Sequence, residues 1–143
     1  MQFRNVYFLL DTCNKEVFFL ADIHKQNGNE LLRQNKTLEA IESYSRAIEL
    51  NPESNIYYAN RSQAWLNIPD FEGALKDAIK SIKLDQSYTK AHYRKAVANK
   101  GLGNYQVALK EFQILQNSNP NNKDCQKQIQ ECKILISQQS NVS

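Results

Sequence analysis

Apolar residues recur along this chain in short stripes at helical spacing, separated by polar, turn-forming breaks. Phe71, Ala74, Leu75, Ala78, Ile79 and Ile82 mark the clearest stripe. Their steps place them on one face of an α-helix. Ile56, Tyr57, Ala64, Trp65 and Leu66 define a second helix before it, and "NIPD" lies between the two. Asp70 ends that break, where its carboxylate can accept from the first free N–H groups of the next helix. Further on, "GLGN" supplies the same punctuation, with glycines to end one helix and Asn104 to cap the next. The pattern predicts helices near 21–34, 37–50, 54–67, 71–84, 88–101, 105–118 and 122–138. The last carries Cys125, Ile129, Cys132 and Ile136 on one side and Lys123, Lys127, Gln128 and Glu131 on the other. That division suits a helix closing the end of a stack. No alternating β pattern competes within 21–138.

The stripes themselves repeat. "NKTLEAIESYSRAIELNP" (35–52), "IPDFEGALKDAIKSIKLDQ" (68–86) and "LGNYQVALKEFQILQNSNP" (102–120) align in one register. Ala40, Ala74 and Ala108 fall 34 residues apart, as do Thr37, Phe71 and Tyr105, and Ile41, Leu75 and Leu109. An alanine at each period has a packing reason, since a small side chain lets two helix backbones approach closely. Pro52 and Pro120 close the first and third units, with Gln86 at that place in the second.

A helix-turn-helix unit of this period, with its small residue, its aromatic and its closing proline, resembles the tetratricopeptide repeat. The resemblance implies an all-α fold of three repeats, about 21–54, 55–88 and 89–122, and a capping helix over 122–138. It further implies a right-handed superhelix whose groove is lined by the first helix of each pair. Residues 1–20 and the tail 139–143 fall outside it.

Polar residues on those first helices are the candidate chemistry. Lys25 and Asn29 stand four apart in the first unit, Asn60 lies mid-helix in the second, and Lys90 and Arg94 stand four apart in the third. Like charges at that spacing weaken an isolated helix by roughly 0.2–0.5 kcal/mol. A cluster rich in N–H donors suits a carboxylate. The same five residues match the carboxylate clamp of those tetratricopeptide domains that bind the Glu-Glu-Val-Asp tail of the 90-kDa or 70-kDa cytosolic heat-shock chaperones. That resemblance implies that Lys25, Asn29 and Asn60 hold the terminal main-chain carboxylate. Lys90 would meet the side chain of the last Asp, and Arg94 the peptide further upstream. Leu32 and Leu66 are candidates for the apolar pocket taking the penultimate valine. Among clamp domains, "AIELNPESNIYYANRS", "SYTKAHYRKA" and "KDCQKQIQECKILI" look like the binding domain of type 5 protein phosphatases.

Composition narrows the alternatives. The chain has 143 residues and a net charge of +3, too little by itself to argue for nucleic acid. Trp65 and the tyrosines follow the repeat core and make no stacking platform. With only His24 and His92, and no acidic partner at ligand spacing, no metal site or cofactor is expected. No phosphate loop or nucleophile motif is present, so a catalytic role is not expected. Cys13, Cys125 and Cys132 make an odd number, and the last two lie about 10 Å apart along one helix, too far to bridge. Reduced thiols fit a cytoplasmic protein, and no apolar run approaches the ~18 residues of a membrane span. The N-terminal segment is dense in Phe3, Val6, Tyr7, Phe8, Leu9, Leu10, Val17, Phe18, Phe19 and Leu20. It either packs on the first repeat or docks a second protein partner. Three roles therefore stand: a chaperone-tail adaptor, a scaffold subunit, or the non-catalytic targeting part of a type 5 phosphatase.

Overall fold

The computed structural model describes residues 2–142, with side chains from Val6 onward. Phe3 of the apolar N-terminal segment and Ser143 of the tail therefore lie outside the described side chains. Among the described residues seven helices follow one another: α1 (Gln2–Arg33), α2 (Thr37–Leu50), α3 (Asn55–Asn67), α4 (Phe71–Leu84), α5 (Thr89–Gly101), α6 (Tyr105–Ser118) and α7 (Lys123–Ser140). The described residues contain no strand. Each helix packs on the next, and α3 also touches α1 and α5, so the pairs stack with α1, α3 and α5 side by side.

The register of the sequence is reproduced in the boundaries. Helices α2, α4 and α6 start at Thr37, Phe71 and Tyr105 and are each 14 residues long. Ala40, Ala74 and Ala108 are wholly buried where the pairs cross. The breaks share one backbone device. Lys36, Asp70 and Asn104 each donate an N–H to the carbonyl five residues back, on Leu31, Trp65 and Asn99, closing orphan carbonyls at the helix end. Two of these turns need left-handed backbone: Gly103 has φ +85° and Asn35 φ +61°, a region that asparagine tolerates better than most residues.

Capping differs from the sequence reading in one place. Asp70 accepts from Gly73 N–H at 2.9 Å as expected, but Asn104 makes no side-chain cap. Its amide instead donates to Asn99 Oδ1. Asparagine carries donors that aspartate lacks, and here they are used across the turn. In α7, Asn122 caps Cys125 N–H at 3.1 Å. Cys125 and Cys132 are buried free thiols in the last core cluster with Ala96, Ala108 and Phe112.

The first helix runs back continuously to Gln2, well before the repeat register begins at 21. The added turns leave Val6, Tyr7, Phe8, Leu9, Leu10, Phe18 and Phe19 exposed. No helix among the described residues is long and apolar enough to cross a membrane.

Candidate functional site

The five residues singled out from the sequence sit on α1, α3 and α5, and two of them, Asn29 and Asn60, are hydrogen-bonded to each other. Asn29 Oδ1 accepts from Tyr44 Oη at 2.6 Å and from Asn60 Nδ2 at 3.2 Å. Both acceptor positions of that oxygen are therefore engaged, while the Asn29 amide N–H groups have no partner among the described residues. Lys25, one turn earlier, is held loosely, its Nζ 3.6 Å from Asp22 Oδ1. The same Asp22 oxygen accepts from Tyr57 Oη at 2.5 Å. Arg94 reaches α3, donating from Nη1 to Ala59 O at 2.8 Å, beside Asn60, and from Nε to Gln63 Oε1 at 3.3 Å.

The electrostatics separate two kinds of arginine. Arg61 faces Asp77 through two bonds of 2.7 and 2.8 Å, with Trp65 Nε1 also donating to that carboxylate at 3.0 Å. Burial lowers the pKa of Arg61, but the bond to Asp77 outweighs it and raises the value overall. Arg94 has only neutral oxygens around it and no ion pair among the described residues. Burial holds its pKa below the usual arginine value. A half-buried cation without a counterion is costly, and an incoming anion would relieve that cost. Burial also pushes the Tyr44 hydroxyl up to about 12, against the opposing charge of Arg94, so it stays protonated and keeps its bond to Asn29.

Lys90 is exposed one turn before Arg94 and has no ion pair or hydrogen bond among the described residues. Both cations line a cavity of about 490 Å³ together with Gln63, Tyr93, Leu115 and Asp124. Lys25, Asn29 and Asn60 lie outside that cavity. Leu32 and Leu66 do not line it either: Leu32 packs on the core cluster of Ala40, Ile41, Tyr44 and Ala64. The apolar wall next to the cations comes from Tyr93 and Leu115. A larger cavity of about 640 Å³, between Tyr58, Leu75, Ile79, Lys80 and Leu102, contains none of the five residues. His92 is a structural residue whose Nε2 lies 2.8 Å from Gln86 O. No group of three or more His, Cys, Asp or Glu side chains is gathered for a metal among the described residues.

Sequence reasoning missed Tyr44, Gln63, Tyr93, Leu115 and Asp124. Tyr44 falls on the core stripe of α2 and reads as packing, which it also is. The others reach the groove only through the stacking of neighbouring pairs. Together these residues offer N–H donors and positive charge from α1, α3 and α5, and no carboxylate pairs with Arg94 among the described residues, a chemistry that suits a carboxylate.

Known proteins resemble this chain in sequence and fold. The tetratricopeptide repeat family pattern matches residues 26–88. Serine/threonine-protein phosphatase 5 of Rattus norvegicus is 39% identical over 120 residues, covering 84% of this chain and 24% of that protein. The chain thus spans about a quarter of the length of the curated relatives it matches. The second TPR domain of the human RPAP3 protein, solved in complex with the HSP70 peptide SGPTIEEVD, is 32% identical with a TM-score of 0.76, covering 82% of this chain and 98% of that one. The first TPR of Spaghetti, bound to the HSP90 peptide SRMEEVD, is 26% identical with a TM-score of 0.78, covering 82% and 94%. With 32% identity over nearly the whole of a solved TPR domain, the chain belongs to the tetratricopeptide repeat family.

Proposed function

We propose that this chain binds the free C-terminal carboxylate of an acidic tail of the kind carried by the 90-kDa and 70-kDa heat-shock chaperones. It acts there as an adaptor or co-chaperone module, in the cytoplasm, without catalysing a reaction of its own. The observation that carries this reading is the half-buried Arg94 with no counterion, set beside the Asn29–Asn60 pair and the unpaired Lys90. In this reading Lys25, Asn29 and Asn60 receive the terminal main-chain carboxylate. Lys90 takes the side-chain carboxylate of the last residue, and Arg94 the chain upstream. A terminal aspartate carries two carboxylates where a mid-chain one carries a single carboxylate, so the cluster selects a chain end. Solved relatives bound to EEVD-ending peptides support the choice of tail.

The identity to phosphatase 5 supports a second reading, in which the same module targets a catalytic domain to a chaperone. The binding chemistry is common to both. The exposed apolar turns of α1 offer a place for a second protein partner, as a scaffold subunit would use.

The test is a fluorescence titration with labelled Met-Glu-Glu-Val-Asp against wild type, Asn60→Ala and Lys90→Ala/Arg94→Ala. Micromolar binding, roughly 8 kcal/mol, is expected for wild type, with a loss of tenfold or more in the double variant. Equal affinity for all three folded proteins would sink the reading.

A further inference from the structure

The groove does not end at Arg94. The cavity of about 490 Å³ continues from Lys90 and Arg94, past Tyr93 and Leu115, to Asp124 in the first turn of α7. Asp124 forms no ion pair or hydrogen bond among the described residues. It nevertheless stands close enough to Tyr93 for its charge to help hold that hydroxyl's pKa up, after burial. The cavity is thus lined by two cations, by Tyr93 and Leu115, and by one carboxylate that acts on Tyr93 rather than on Arg94.

We propose that Asp124 is a specificity-determining residue, selecting a peptide with a basic side chain five positions before its terminal carboxylate; this rests on the terminal-carboxylate reading above. The spacing follows from geometry. Neighbouring packed helices lie about 8–10 Å apart, so two steps, from Asn60 on α3 through α5 to Asp124 on α7, cover about 16–20 Å. Five residues of extended chain span about 17 Å. The residue four before the end then lies along Tyr93 and Leu115, and the one before it reaches Asp124. Of the two tails held by solved relatives, Ser-Arg-Met-Glu-Glu-Val-Asp has arginine there and Ser-Gly-Pro-Thr-Ile-Glu-Glu-Val-Asp has threonine. An acidic residue at that position would face a like charge.

The experiment titrates Ser-Arg-Met-Glu-Glu-Val-Asp and its arginine-to-glutamate analogue against wild type, Asp124→Asn and Asp124→Lys. Exposed ion pairs are modest, so wild type should favour the arginine peptide by roughly two- to fivefold over neutral expectation. Asp124→Asn should erase that preference, and Asp124→Lys should reverse it. A carboxylate that only stabilises the start of α7 would weaken both peptides together and leave their ratio fixed. Binding of both peptides with an unchanged ratio in all three proteins overturns the inference while the clamp stands. No binding of either peptide by folded wild type removes both.

Discussion

Replacing Gly28 by alanine links the packing of α1 to the groove. In an exposed helix the change stabilises by roughly 0.5–1 kcal/mol, because glycine has more backbone freedom to lose. Here an added Cβ would lie 2.6 Å from Tyr44 Cε1 and 2.8 Å from Cδ1, where ordinary carbon contacts need about 3.5–4.0 Å. The ring must therefore move by about 1 Å. It has no room, being 1% exposed, and its hydroxyl is fixed to Asn29 at 2.6 Å. Overpacking of this kind costs roughly 1–3 kcal/mol, and loss of the hydroxyl bond adds roughly 0.5–1.5 kcal/mol. The net expectation is a destabilisation of about 1–3 kcal/mol, read as a lower urea midpoint at unchanged m-value. Because Tyr44 orients Asn29, affinity for a carboxylate-ended peptide should fall in the protein that remains folded. A Gly28→Ala protein more stable than wild type, with full peptide affinity, would refute the close α1–α2 crossing and its coupling to the site.

Other consequences are equally open to measurement. Arg61→Ala leaves Asp77, whose side chain is 4% exposed, without its cation; equilibrium urea unfolding should show a loss of about 3 kcal/mol, at the lower end for broken buried pairs because Trp65 still donates. Burial pushes the hydroxyls of Tyr44, Tyr58 and Tyr93 above their usual value, as it does that of Tyr57 together with its bond to Asp22. Protonated tyrosine is thus favoured by the fold, so their contribution to stability is intact below pH 10.0 and is lost as pH rises through the folded values, Tyr44's being about 12. Urea midpoints should be level from pH 7 to 9 and fall by pH 11; a flat profile would contradict the burial of these rings. Iodoacetamide should label the exposed Cys13 quickly in native protein, while Cys125 and Cys132, buried and with thiols pushed up by burial, react only on unfolding.

The repeat was legible because its cause is local and recurrent. A wholly buried alanine at each crossing, and a break that must close the same carbonyl, impose one register on three units. The places of Lys25, Asn29, Asn60, Lys90 and Arg94 on α1, α3 and α5 followed from that register. What each residue touches did not, because Tyr44 and Gln63 reach Asn29 and Arg94 from neighbouring helices. The extension of α1 to Gln2 lies outside any repeat, so no register marked it as helix. Leu32 shows the limit of periodicity in the other direction: a leucine one turn from Asn29 turns into the core rather than the groove. Asn104 shows that a capping residue type does not guarantee a cap when its amide has a nearer acceptor.

The most direct test of the account is calorimetric titration of the wild-type chain with Met-Glu-Glu-Val-Asp carrying either a free or an amidated C-terminus. Amidation removes the negative charge and replaces one carboxylate oxygen with an NH2 group, leaving the rest of the peptide unchanged. The free peptide should bind and weaken as salt rises, and the amide should bind at least tenfold more weakly. Equal affinity for the two would mean that the donors around Arg94 do not receive a chain terminus.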